Sequence, residues 1–425
     1  MCRHQIVITT LVLCFSLTAS SVIQGQVPDY ADLFNPLNVL NLNLEMDPVD
    51  WETIRADNTY SIHRPAYFWA DGENKIIVDV KRKPTEAFGG KVSLKIDIND
   101  YFDDLQWHGV KKLSLENGAD TGVVKEGLAW YLHRQAVTMH ASYTPPLASW
   151  VNVTVNGQLQ GVYTNVEEPD KTFLRNHDLW VPDHSWLYKQ GDQGSPELVA
   201  GSGDSPTYLA LNYSPFSGSA NPPPGYETQI ENLIDMRQML IVGAANAFTG
   251  NQDELFTKGK NFFFADFDAG TSGGKRLHFP WDLDSVFSNL NATVYGTNSA
   301  YQVYILGNPV FHDQYSQIML DLLDGPLSVA SLNGFLDELE TALTPSLLAD
   351  PNGSIGSTPE DVAGHFNEIR QWITLRHAKV LQEVQSNMGE ASSVPEPSTI
   401  GLLGLSVLLS LAAIRKRRIA LPRVN

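Results

Sequence analysis

The stretch SWVNVTVNGQLQGVYTNVEE, residues 149–168, decides how the first half of the chain folds. Val, Thr and Tyr crowd both sides of Asn156-Gly157. That pair favours a two-residue hairpin turn, because both of its positions take positive φ at little cost. Two strands joined by a tight turn are therefore expected. Working outward, KIIVDVKRK (75–83) and KVSLKIDI (91–98) alternate apolar with polar residues, and KKLSLEN (111–117) follows. Between them and the hairpin, TGVVKEGLAWYLHRQAV (121–137) places Val124, Leu128, Tyr131 and Leu132 at helical spacing. An antiparallel sheet with one long helix is the expectation for a β-rich part spanning 27–190.

Residues 191–227 are rich in Gly, Ser and Pro and read as a long loop or insertion. Beyond them, 227–250 reads as one helix. The run GKNFFFADFDAGTSGGKRLHFPWDLDSVF (259–287) reads as two short strands around a Gly-rich turn. Helical periodicity returns over roughly 309–323, 327–345 and 359–388. The fold class is thus α+β, with a helical part over 228–390.

Both ends carry targeting signals. Residues 1–26 combine Arg3, an apolar run over 6–18 and small residues near Ala19–Gly25, the pattern of a secretory signal peptide. At the other end, Val394-Pro395-Glu396-Pro397 precedes about sixteen mostly apolar residues and the basic run Arg415–Arg418. Sixteen helical residues rise roughly 24 Å, short for a hydrocarbon core of roughly 30 Å. The basic cluster would stay cytoplasmic, leaving the body outside with a transient membrane anchor. Both cysteines, Cys2 and Cys14, fall in the signal peptide, so the mature body has neither disulfide nor thiol chemistry. The chain carries −19, and both end segments are net positive, so the body of about 365 residues is more acidic still. That charge excludes generic nucleic-acid binding.

The candidate chemistry lies in Asp282 and Asp284, two apart at the exit of the second short strand. Paired carboxylates beside aromatics suit Mg²⁺ or Mn²⁺, although an Asp pair equally caps a turn. The polar loop before the hairpin adds Asn251, Asp253 and Asn261. A loop acid, an amide and a strand-end acid, in that order, is the arrangement of kinase-type phosphotransferases. Upstream, Lys91 and Lys95 share one face of KVSLKI, and Glu126 lies on the nearby helix; a solvated face explains each equally well when taken singly.

Taken together, KVSLKIDI, LSLENGADTGVVKEGLAWYLHR, VNVTVNGQLQGVYTNVEEPDKTFL, WLYKQGD, NQDE with KNFFF, HFPWDLDSVF and IRQWITLRHAKVL resemble the CotH kinase family, an atypical protein kinase-like group named for spore-coat protein H. The resemblance spans roughly 75–385. It implies a β-rich lobe over a helical lobe, ATP between them, and phosphoryl transfer to Ser or Thr of a secreted or surface protein. It places the nucleotide lysine in KVSLKI, at Lys95 rather than Lys91, and its helix partner at Glu126. Glu167, Glu168 and Asp170 fall in the segment linking the lobes. Asp253 corresponds to the catalytic-loop acid, Asn261 to the following amide and Asp282 to the metal-binding acid, with Asp284 assisting. The chain departs from kinases in lacking a Gly-x-Gly-x-x-Gly loop, FGGK (88–91) being the nearest match, and a His-Arg-Asp loop. Two other readings stay open: a surface or matrix binding protein that keeps the fold, and a metal-dependent glycosyltransferase using Asp282 and Asp284. The tail over 394–418 resembles the PEP-CTERM sorting signal of Gram-negative bacteria. This implies cleavage by an exosortase-type enzyme and delivery to the envelope, cell surface or extracellular matrix.

The mature protein should therefore end near Pro397. Mass spectrometry of the native exported protein checks this, and a chain still ending at Asn425 would leave a plain tail anchor instead.

Overall fold

The computed structural model describes residues 30–388 apart from 88, 141–142 and 192–193. The signal peptide over 1–26 and the apolar tail over 394–418 lie outside the described residues. Among those described, no helix is long and apolar enough to cross a membrane.

The chain opens with a short helix, α1 (Tyr30–Leu33), then β1 (Leu40–Glu45), α2 (Pro48–Ala56), β2 (Arg64–Ala70), β3 (Ile76–Arg82), β4 (Leu94–Asp97) and β5 (Lys112–Glu116). Helix α3 (Val123–Ala136) precedes the hairpin β6 (Ala148–Val155) and β7 (Gln158–Glu167). Asn156 and Gly157 form its turn with φ of 51° and 77°, as the dipeptide predicts. These seven strands close into a barrel in the order β1-β2-β3-β4-β5-β7-β6.

The closure corrects the expected antiparallel sheet. Strands β1 and β2, which the sequence pattern did not single out, complete the ring, and β1 pairs parallel to β6 from Leu40↔Val151 to Leu44↔Val155. Alternation explains why closure is favourable. Leu42 and Leu44, Val78 and Val80, Leu94 and Ile96, Leu113 and Leu115, and Val151 and Val153 all point inward into one core. Each such side chain contributes roughly 1.5–3 kcal/mol on burial. The intervening residues of β3, β4, β5 and β7 face outward, toward the rest of the molecule.

The second half starts earlier than the composition break suggests. After α4 (Lys171–Asn176), β8 (Trp186–Gln190) joins a separate four-stranded sheet, β11-β10-β8-β9, rather than the barrel. The Gly/Ser/Pro-rich stretch is not simply a loop. It holds β9 (Glu197–Ala200), α5 (Pro206–Ala210) and the start of α6 (Tyr226–Leu233). The helix expected over 227–250 is broken into α6 and α7 (Met236–Thr249). Ile234 turns extended, Asp235 N–H donates to the Arg276 carbonyl at 3.0 Å, and the Asp235 carboxylate caps α7 by accepting from Gln238 N–H at 3.1 Å. Strands β10 (Phe262–Phe267) and β11 (Lys275–Pro280) form the expected hairpin, and α8 (Pro309–Asp324), α9 (Val329–Ala349) and α10 (Pro359–Asn387) complete the helical layer.

The barrel is fastened to the helices through the loop between α9 and α10. Asp350 Oδ2 accepts from Lys91 Nζ at 3.1 Å and from Val162 N–H at 2.9 Å. Asn352 donates to the Gln160 carbonyl at 2.9 Å. The approach is so close that a Cβ on Gly161 would fall 2.1 Å from Asp350 Oδ1.

Both ends of the Lys91–Asp350 pair are 2% exposed, so breaking it strands a buried charge. Asp350→Ala should cost about 3–5 kcal/mol in urea denaturation. Asp350→Asn combined with Lys91→Met should cost less than Asp350→Ala alone, because no unpaired charge remains.

Candidate functional site: a cleft of lysines and carboxylates

The outer face of the barrel supplies one wall. Register pairs Lys81 with Lys95 and Lys95 with Ser114, so these side chains stand side by side. The ladder continues one step past β3, where Lys83 N–H donates to the Ser93 carbonyl at 2.9 Å. Lys83 therefore shares the face of Lys81. Its ammonium donates to Ser114 Oγ at 2.5 Å and forms an ion pair with Glu116. Lys95 donates to Glu168 Oε1 at 2.7 Å, just beyond β7.

Helix α3 and the β10–β11 hairpin supply the facing walls. Gly127 lets α3 lie against the indole of Trp150, where a Cβ would meet the ring at 2.4 Å. Glu126 and Trp130 are thereby held at the cleft, with Glu126 only 5% exposed. The resulting cavity is about 520 Å³ and is lined by Lys83, Lys95, Glu116, Glu126, Glu168, Lys189, Asn261, Trp281, Asp282 and Asp284, among others. Trp281 stands in it with its edge toward Trp130, ring centres 6.0 Å apart, and packs against Phe263 at 5.1 Å.

The strand does not carry both acids into the cleft as their spacing suggested. It ends at Pro280, and Asp282 takes a left-handed backbone with φ of 58°. A non-glycine residue held there costs of order 1–3 kcal/mol. Leu283, 1% exposed, anchors the turn in the core, and Thr121 Oγ donates to the Val286 carbonyl at 2.7 Å. Asp282 and Asp284 thus reach the same cavity through a turn.

Charge in the cleft is out of balance. Asp282 is solvent-exposed at the cleft, yet the surrounding walls raise its carboxyl pKa by desolvation; Lys83 opposes this, and Glu116 adds to it. Burial, then Asp282 and Asp120, push Asp284 up to about 7. Glu126 is raised well above the carboxylate range by burial, Glu116 and Asp284. Burial works against charge on Glu168 too, but Lys95 and Lys83 outweigh it and leave the pKa lowered.

The expected site residues divide. Lys95, Glu126, Glu168, Asn261, Asp282 and Asp284 are brought to one cavity. Lys95 does not pair with Glu126; its partner is Glu168, because the register aims it at the end of β7. Lys91 is not in the cleft. It precedes β4, is buried on the far attachment to Asp350, and has no free ammonium to offer a ligand. Glu167 points away as well, accepting from Leu147 N–H at 3.1 Å and contacting Tyr30 and His177. Asp170 caps α4 through Thr172 and Phe173 N–H. Asp253 sits behind the lining and is held by Lys258 at 2.7 Å, Lys260 at 2.8 Å and Asn261 at 3.2 Å. Burial opposes its charge, but the two lysines outweigh this and lower its pKa. Sequence reasoning missed Lys83, Glu116, Asp120 and Lys189. The alternation Lys81-x-Lys83 was the signal for the first, since it continues the outward face of β3.

A family model described as CotH kinase protein matches residues 85–380, from just after β3 into α10. The chain belongs to that family. A second model, the PEP-CTERM protein-sorting motif, matches 393–418. The motif marks this CotH protein as exported, associated with the Gram-negative envelope and processed by an exosortase. No curated protein is found to match the chain.

The donor set fits a small divalent cation that brings its own ligands. Among the described residues, no three His, Cys, Asp or Glu side chains form a ready-made metal cage. Mg²⁺ is ordinarily held by one or two carboxylates with phosphate and water completing the shell, and Asp282 with Asp284 supply that number.

A proton on Asp284 has a consequence for stability. The folded chain keeps it up to about pH 7, whereas the unfolded chain, with the ordinary carboxyl value of 3.8, releases it earlier. Its contribution is full at low pH and is lost as pH rises through about 7. Mn²⁺ should therefore raise the melting temperature more at pH 8 than at pH 6, because it replaces a departing proton. Asp284→Asn should shrink both the fall in melting temperature from pH 5 to pH 8 and the gain from Mn²⁺.

Proposed function

We propose that this CotH protein is an exported, metal-dependent protein kinase of the atypical two-lobed kind, transferring the γ-phosphate of ATP to Ser or Thr of a secreted or surface protein. The barrel is the smaller lobe and the helical layer the larger. The observation that carries this reading is the cleft itself, where ammonium groups from the barrel face Glu126 and Asp284, whose carboxyl pKa values are raised by burial and then by neighbouring acids. Phosphates answer the first and a divalent cation the second.

In this reading Asp282 and Asp284 hold Mg²⁺ or Mn²⁺, which when bound offsets phosphate charge and fixes the transferred group. Asn261 faces the same space and also donates to Asp253. Asp253 orients the incoming hydroxyl, which reaches it by displacing Lys258, the more exposed of its two lysine partners at 57%. Lys95, tied to Glu168, keeps the barrel face aligned with the segment that leads out of β7.

Calorimetry with ATP and either metal, together with phosphate incorporation into the purified body, tests this. Asp282→Asn should abolish metal-dependent nucleotide binding and transfer together. Asp253→Asn should keep most of the binding and slow transfer by roughly 10²-fold, the cost of a misplaced hydroxyl. Absence of nucleotide binding by the unaltered protein with both metals would end the kinase reading.

A further inference from the structure

Resting on that kinase reading, we infer that Lys83 and Lys189 form a two-ammonium subsite for the terminal phosphates of the nucleotide, set about Trp281 beside Asp282. The ammonium of Lys83 lies 5.7 Å from the centre of the Trp281 ring, and that of Lys189 lies 5.6 Å from the same centre. Both line the cavity. They come from opposite sides of the cleft, Lys83 from the end of β3 and Lys189 from β8 in the separate sheet. The next residue after the shared indole is Asp282.

The lysines of the cleft, Lys81, Lys83, Lys95 and Lys189, are not equivalent, and only Lys83 and Lys189 have an ammonium within 6 Å of the Trp281 ring centre. Lys95 is committed to Glu168. Lys83 has three N–H donors, of which Ser114 and Glu116 take two, leaving one for a ligand. The ammonium of Lys189 has no hydrogen-bond or ion-pair partner among the described residues and lies over the rings of Phe263 and Trp281. Its nearest acids act on it from a distance, since its charge lowers the pKa of both Asp282 and Glu168. An ammonium held over aromatic rings and left without an anion is a ready acceptor for one. A multiply charged anion bridging both lysines, with its metal on Asp282, satisfies all these groups at once. Adenine or ribose has no charge for them.

The test separates phosphate from nucleoside. Affinities of ATP, adenosine and inorganic triphosphate, each with Mg²⁺, are measured by calorimetry on the unaltered body and on Lys83→Met, Lys189→Met and Lys95→Met. Lys189→Met is the cleanest variant, because it removes no hydrogen bond. Lys83→Met is paired with Lys83→Met/Glu116→Gln, so that a stranded Glu116 charge is not mistaken for a lost ligand contact. Melting curves check that each variant is folded. The expected result is a loss of about ten- to a hundredfold for ATP and triphosphate in the Lys83 and Lys189 variants, with adenosine unchanged. Equal losses for ATP and adenosine, or a phosphate-selective loss confined to Lys95→Met, would overturn the subsite and leave the kinase reading standing. Triphosphate binding that depends on Lys83 and Lys189, without binding of ATP, would keep the subsite and remove the kinase reading. Binding of neither would remove both.

Discussion

A single carboxylate, Asp350, holds the two halves of the molecule in register. It takes a proton donor from Lys91 at the entrance to β4 and another from Val162 in β7. Those strands lead directly to Lys95 and Glu168. The cleft has walls from both halves, so its dimensions depend on this distant attachment. The cost of burying the pair is met only because each charge has its partner and the carboxylate accepts a further backbone donor, the condition under which buried ion pairs are tolerated. Gly161 is part of the same device, since any side chain there would push the loop off the barrel.

With the halves fixed, the cleft becomes a problem of charge. Glu126 on α3 and Asp284 on the turn after β11 are raised first by burial and then by neighbouring acids, Glu116 and Asp284 acting on Glu126 and Asp282 and Asp120 on Asp284. Two answers are built in. Lysines offset part of the charge through Lys83–Glu116 and Lys95–Glu168, and the raised pKa values of Asp284 and Glu126 favour their neutral forms. In the proposed reading a metal-bound polyphosphate would answer both, its oxygens meeting the ammonium groups and its cation the carboxylates. The strain at Asp282, a left-handed backbone on a non-glycine residue, belongs to the same arrangement, because it carries a side chain off the end of a strand and into the cavity.

Much of this was legible in the sequence where the signal was local. Asn156-Gly157 specified a hairpin, the alternation of 91–98 and 111–117 specified strands, and Trp281-Asp-Leu-Asp marked the site. What escaped was set by long-range pairing. The parallel contact of β1 with β6 joins residues more than a hundred apart, and no local pattern announces it. Lys91 and Lys95 share a parity in the sequence, yet only Lys95 lies within β4. Residue 91 makes just an isolated bridge and turns toward Asp350, so a period of two did not apply. Glu167 and Glu168, adjacent at the end of β7, necessarily point opposite ways, and only Glu168 faces the cavity. That Lys83 joins Lys95 on the cleft face depended on how β3, β4 and β5 pair, which is information held in register rather than in spacing.

The environment of Asp253 limits what that residue can contribute. A carboxylate gripped by two ammonium groups, with a pKa held below the usual range, is a weak proton acceptor. In the proposed reading its value to a reacting hydroxyl would therefore be direction rather than basicity. That suits phosphoryl transfer through a loose transition state, in which bond formation to the incoming oxygen is slight when the leaving bond is nearly broken, so little proton removal is needed at the barrier. Transfer would then depend chiefly on how closely the metal side of the cleft, at Asp282, and the hydroxyl side, at Asp253, are held together. Asn261, which lines the cavity and donates to Asp253, is the side chain that joins them.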